Sequence, residues 1–148
     1  MKAVILSSLL LLASQANAAG LSMTAGAHAI SIVPTPVNAE RTRLDISLEG
    51  AGRMNAAGRV IHFHLTCRVD DFMVAKRIVE GVGDCTMTAL GGGSMQAHFQ
   101  TLPGIGDRGH LEFSGASGQF AGVTGRMPVA VVVNPNNIGK PVFYVESE

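Results

Sequence analysis

The stretch Ile61-His62-Phe63-His64-Leu65-Thr66-Cys67-Arg68-Val69 alternates strictly between less polar and more polar residues. A period of two belongs to a β-strand, because successive side chains there point to opposite faces. Ile61, Phe63, Leu65, Cys67 and Val69 therefore share one face, suited to a core. His62, His64, Thr66 and Arg68 share the other, suited to solvent.

The same period extends outward in both directions. Upstream, Leu44, Ile46 and Leu48 alternate with Arg43, Asp45, Ser47 and Glu49, and Gly50-Ala51-Gly52 predicts the end of that strand. Asp70-Asp71 predicts a turn, with a shorter strand across 72–79. Downstream, Cys85, Met87 and Ala89 oppose Asp84, Thr86 and Thr88. Past the Gly91-Gly92-Gly93 turn, Met95, Ala97 and Phe99 oppose Gln96, His98 and Gln100. Leu111 and Phe113 follow, alternating with His110 and Glu112. A glycine-spaced bend at 115–125 then leads into Val129-Ala130-Val131-Val132-Val133, which is apolar on both faces. Asn134-Pro135-Asn136-Asn137 predicts a turn before a last strand at 142–145.

The chain holds eighteen glycines, and no segment keeps an apolar 3.6-residue period beyond two turns. Short alternating runs between glycine turns predict an all-β fold, with about eight strands in mostly up-and-down order. Such an antiparallel set closes as a sandwich or as a barrel. We expect a small β-barrel, because closure removes the edge strands that an open sheet must protect.

Residues 1–18 read as a cleaved signal peptide. Lys2 gives the positive end, an apolar-dominated run spans Ala3 to Ala13, and Ala16-Asn17-Ala18 is the small-x-small cleavage pattern. The run is shorter than the ~20 residues that span a bilayer, and no Cys follows the cleavage point to carry a lipid, so no membrane anchor is expected. The expected compartment is the periplasm or the exterior. Residues 19–41, with Pro34 and Pro36 around Thr35, read as an irregular N-terminal leader holding one edge strand near 29–33. Residues 42–148 read as the single barrel domain.

Lys+Arg and Asp+Glu number eleven each, so the net charge is zero. No long run of either sign occurs, Trp is absent, and there is a single Tyr. A nucleic-acid partner is therefore not expected. The two cysteines, Cys67 and Cys85, form an even pair in an exported chain and are expected to make a disulfide. Both lie on the less polar face of their strands, so a bridge requires no flip of register.

The chemical motifs are sparse. Gly104-Ile105-Gly106-Asp107-Arg108-Gly109 has the dinucleotide spacing, but Pro103 precedes it and a strand follows. The phosphate mechanism needs a helix N-terminus at that point, so no cofactor is expected. His62 and His64, two apart on one face, have the spacing of metal ligands, and His98 and His110 also fall on polar faces. A solvated strand face is the preferred account of them, and no metal is expected. Ser114, His110 and Asp107 include the residue types of a triad without a spacing that orders them. Glu49, Glu112 and Asp45 alternate with apolar residues and should point outward.

The second half of the chain resembles the allene oxide cyclase barrel-like group, which includes the dirigent proteins. The resemblance rests on Gly83-Asp84-Cys85-Thr86-Met87-Thr88 and on Gly109-His110-Leu111-Glu112-Phe113-Ser114-Gly115-Ala116-Ser117-Gly118-Gln119-Phe120-Ala121-Gly122-Val123-Thr124-Gly125, with Cys67 upstream. It covers roughly residues 61–133. It implies a small antiparallel barrel with an apolar interior, like that of small secreted bacterial members, and in some relatives trimers. A homo-oligomer joined through the outer face of the 127–133 strand would fit this, although the N-terminal leader could also cover that face. No residue matches those expected to perform the plant cyclase reaction, so the resemblance implies fold rather than activity.

Three functional expectations follow. The first is a non-catalytic barrel binding a small apolar ligand, lined by Ile61, Phe63, Leu65, Met87, Met95 and Phe99. The second is a cyclase-like isomerase that holds a flexible apolar substrate in a productive conformer, which needs a polar group inside the barrel. The third is metal handling through His62 and His64.

Overall fold

A computed structural model describes residues 20–134 and 141–148. The expected signal peptide at 1–18 and residues 135–137 of the expected turn lie outside them. Eight antiparallel strands close into one barrel in sequence order. They are β1 (Leu21–Pro36), β2 (Arg41–Ala56), β3 (Arg59–Val74), β4 (Arg77–Ala89), β5 (Ser94–Leu102), β6 (Ile105–Ser114), β7 (Gly125–Asn134) and β8 (Val142–Ser147). A short 3-10 turn, Gly118–Phe120, lies between β6 and β7. Closure is made by β1 against β8, from Thr24 opposite Glu146 to His28 opposite Val142.

The irregular leader expected at 19–41 is corrected by β1, a full barrel strand. Met23, Ala25, Ala27 and Ala29 alternate inward along it. The two prolines sit at its far end, past the reach of β8, where a missing N–H removes no ladder bond on that side. The strand end expected at Gly50-Ala51-Gly52 is also corrected, since β2 runs on to Ala56. These glycines are close-approach points within a strand. A Cβ on Gly52 would stand 2.6 Å from the Phe63 ring and 2.6 Å from the Thr24 carbonyl oxygen.

The turn expected at Asp70-Asp71 falls later. β3 continues to Val74, and the hairpin turns at Ala75-Lys76, both with positive φ (49° and 63°). Two consecutive positive φ values are what a tight hairpin following the strand twist requires. Neither Ala nor Lys is a usual residue there, so composition gave no sign of it.

The interior divides along the barrel axis. At the end holding the β2–β3 and β4–β5 turns, Phe63, Met54, Met95, Met127 and Val129 are fully buried. The glycine-spaced bend folds under this end and inserts Phe120, which has no solvent exposure and whose ring centroid is 6.2 Å from that of Phe63. Val123 is buried beside it in the same core. The bend is tied to the β4–β5 connection by Ser94 N–H donating to Ser117 Oγ (3.0 Å) and Gln119 N–H donating to the Gly92 carbonyl (3.0 Å). The opposite end, with the β3–β4 and β5–β6 hairpins, has no such plug among the described residues.

Candidate functional site

The plug-free half contains a cavity of about 90 Å³, partly open to solvent. Its walls are apolar: Met23 and Ala25 from β1, Leu65 from β3, Met87 from β4, Phe99 from β5 and Phe143 from β8 are among them. Small side chains contribute to the space: Ala25, Ala27 and Ala97 are buried inward-facing residues on its wall.

Of the six residues expected to line a ligand space, Phe63, Leu65, Met87 and Phe99 border the cavity. Ile61 and Met95 also face inward but are buried in the core outside the cavity wall. Cys67 and Cys85 face each other directly across β3 and β4 and are bonded, with sulfurs 2.02 Å apart. The disulfide is part of the cavity wall. It also removes Cys67 from any role as a nucleophile.

One residue that the sequence assigned to a turn belongs to this site. The inward phase of β3 runs Phe63, Leu65, Cys67, Val69 and then Asp71, which is only 5% exposed and lines the cavity. Among the described residues it is the only ionisable side chain on the wall. It has room because Gly81 stands opposite it on β4. A Cβ there would collide with the Asp71 carboxyl. The Gly81 N–H is itself satisfied by Thr101 Oγ1 at 2.8 Å, within a buried pair. No protein group donates a hydrogen bond to the Asp71 carboxyl among the described residues.

Burial pushes the Asp71 carboxyl up to about 6, and the neighbouring Asp70 charge adds to the shift. Asp70 itself faces outward and takes both Nε and Nη2 of Arg43, at 3.0 and 2.8 Å. Arg43 is thereby engaged on the outer surface. Among the described residues the inner carboxyl is left with uncharged neighbours and no paired cation.

The other expected residues fall outside the barrel wall. His62 and His64 project from β3 into solvent. Among the described residues no group of three or more metal-ligating side chains converges. His98 and His110 do not join them: His98 pairs with Asp84 at 2.8 Å, while Arg126 donates to His110 Nδ1 at 2.7 Å. Burial first, then the Arg126 charge, lowers the His110 ring below the usual histidine value. That engagement, with Ser114 four residues along the same strand, separates the triad types Ser114, His110 and Asp107. Glu49, Glu112 and Asp45 are exposed on the outer surface. The Gly104–Gly109 motif spans the β5–β6 turn and the start of β6, with no helix after it.

The site therefore offers an apolar recess, partly open to solvent, with one carboxyl on its wall. No protein-family model, curated protein or solved structure matches this chain.

Proposed function

We propose that this protein is an exported, non-catalytic barrel that binds a small apolar ligand in its interior. The observation that carries this reading is the apolar cavity of about 90 Å³ in the half of the barrel that Phe120 does not plug. Small barrels either fill their interior or hold one ligand, and here the described residues fill only one half. The volume is below the ~150 Å³ of an apolar protein cavity that admits benzene. It therefore suits a short alkyl body whose remainder extends through the opening. Export is supported by the disulfide, which persists in oxidising compartments, and by the signal-like residues 1–18. The resemblance to the allene oxide cyclase barrel-like group adds to the same reading.

The methionines give an internal test. Met23 and Met87 border the cavity, whereas Met54, Met95 and Met127 are buried away from its wall. With methyl-labelled methionine, titration of n-pentanol should shift the Met23 and Met87 signals and leave the other three nearly still. Absence of any change at Met23 and Met87 would end the reading.

A second reading, a cyclase-like isomerase, is favoured by one observation: Asp71 supplies the inward polar group that such chemistry needs. It requires that conversion of a flexible apolar substrate collapse in Asp71→Asn while n-pentanol binding survives. Equal conversion by both proteins would remove it.

A further inference from the structure

The carboxyl of Asp71 is unusual in what surrounds it. From β4, Gly81 and Ile78 face its end of the barrel, from β5 Thr101, from β6 Gly106 and from β7 Val133. None of these carries a charge. Leu44 stands opposite Asp71 on β2. The charge that acts on its carboxyl is Asp70, of the same sign. A buried carboxylate without a hydrogen-bond donor or cation is costly, and the cost is relieved by whatever brings one.

Position matters as much as charge. Asp71 lies eight residues beyond Phe63 on the same strand, toward the β3–β4 hairpin end and away from the Phe120 plug. The wall deeper in the barrel is apolar: Phe63, Leu65, Met87 and Met23. A ligand that uses both regions would place its apolar tail inward and its polar head near the hairpin end.

Building on the apolar-ligand reading above, we infer that the cavity selects short alkyl amines, with the ammonium head held by the Asp71 carboxylate and the alkyl tail lying against Leu65 and Met87. An alcohol of the same length gains the same apolar contact but a weaker head-group bond, since an alcohol hydroxyl carries no charge. A carboxylate of the same length brings a second negative charge beside Asp71 and is disfavoured. The neutral walls add nothing that would attract an anion. At pH 7.5 the Asp71 carboxyl is above its midpoint of about 6 and is mostly ionised.

The test uses n-pentylamine, n-pentanol and pentanoate at pH 7.5, with the Met23 and Met87 methyl signals as readout. Wild type should bind pentylamine about tenfold or more tighter than pentanoate, the step expected of one charge-assisted hydrogen bond. In Asp71→Asn that preference should shrink to about twofold or less, while pentanol binding is retained. A measurement without substitution accompanies it: in carboxyl-labelled wild type, pentylamine should lower the Asp71 titration midpoint and pentanol should not. If the three probes bind alike in wild type, or if the amine preference persists in Asp71→Asn, the amine inference is overturned while the cavity reading stands. If no probe shifts Met23 or Met87, both are overturned together.

Discussion

The two halves of this barrel are built from the same eight strands, yet their interiors differ. One end is packed solid by Phe120, Phe63, Met54, Met95 and Met127, all essentially without exposure. The other keeps alanines at Ala25, Ala27 and Ala97 and places Asp71 on its wall. Packing at native density favours folding, and a void or a buried carboxyl opposes it. The filled half thus carries the stability on which the hollow half depends. Substitutions in the first should cost stability. Those in the second, its disulfide aside, should change binding without a large loss of stability.

The largest effect is expected at the plug. Phe120→Ala removes a ring with no exposed surface that packs against Phe63. It should lower unfolding free energy by about 3–5 kcal/mol, the usual range for a buried aromatic, measured by guanidinium denaturation. A loss under 1 kcal/mol would mean the bend lies on the barrel without sealing it.

The next effect crosses the boundary between the halves. The Cys67–Cys85 bridge closes a loop of sequence separation 18. Replacing both cysteines by Ala should cost about 3 kcal/mol in the chain-entropy account. The pair already sits in register between β3 and β4, so the fold should survive with reduced stability. A double variant as stable as wild type would show that the ladder alone holds this junction.

The central strands were far more legible in the sequence than β1, the far end of β2 or Asp71. Strict alternation from Ile61 to Val69 marked the core face of β3, and the Cys67–Cys85 bridge was expected from an even cysteine pair in an exported chain, with matching faces that permit it. β1 was obscured because its inward residues are mostly Ala, which gives weak hydrophobic contrast, and because Pro34 and Pro36 look like strand breakers. Asp71 was hidden by its neighbour. Two adjacent acids read as a turn, and the turn residues that the chain uses, Ala75-Lys76, are not typical ones. The signal was nevertheless present as phase, since Asp71 continues the odd-numbered inward series of β3. Alternation places a residue on a face whatever its polarity, and a carboxyl in phase with a core series marks a site better than residue type alone.

Asp71 makes the contrast between the halves pH-dependent. Its carboxyl is raised from 3.8 to about 6 in the folded protein. The folded state therefore holds the proton more tightly than the unfolded chain. Stability from this group is fully present below about pH 4 and is lost as pH rises through about 6. Above pH 7 the ionised carboxyl costs the folded state about 2–3 kcal/mol. Asp71→Asn should recover most of that at pH 7.5 and should converge with wild type near pH 4, as read from denaturation midpoints. A difference of opposite sign at pH 7.5 would mean the carboxylate has a stabilising partner in solution.

The smallest stability effect is expected from filling the hollow half. Ala97 lines the cavity from β5, directly across from Cys85, and is almost fully buried. Ala97→Val adds two methyl groups to a void of about 90 Å³. Burying them is favourable, while any forced rotamer is not, so the net change should stay within about 1 kcal/mol of wild type. Binding should respond much more strongly, because the added volume takes space that an alkyl chain would use. The Met87 methyl shift with n-pentanol should weaken several-fold or vanish, while the Met54 and Met127 signals of the packed half stay in place. Unchanged pentanol binding in a folded Ala97→Val protein would place the alkyl chain elsewhere on the molecule. Loss of binding with stability intact would show that the hollow half is kept open for a ligand at little benefit to the fold.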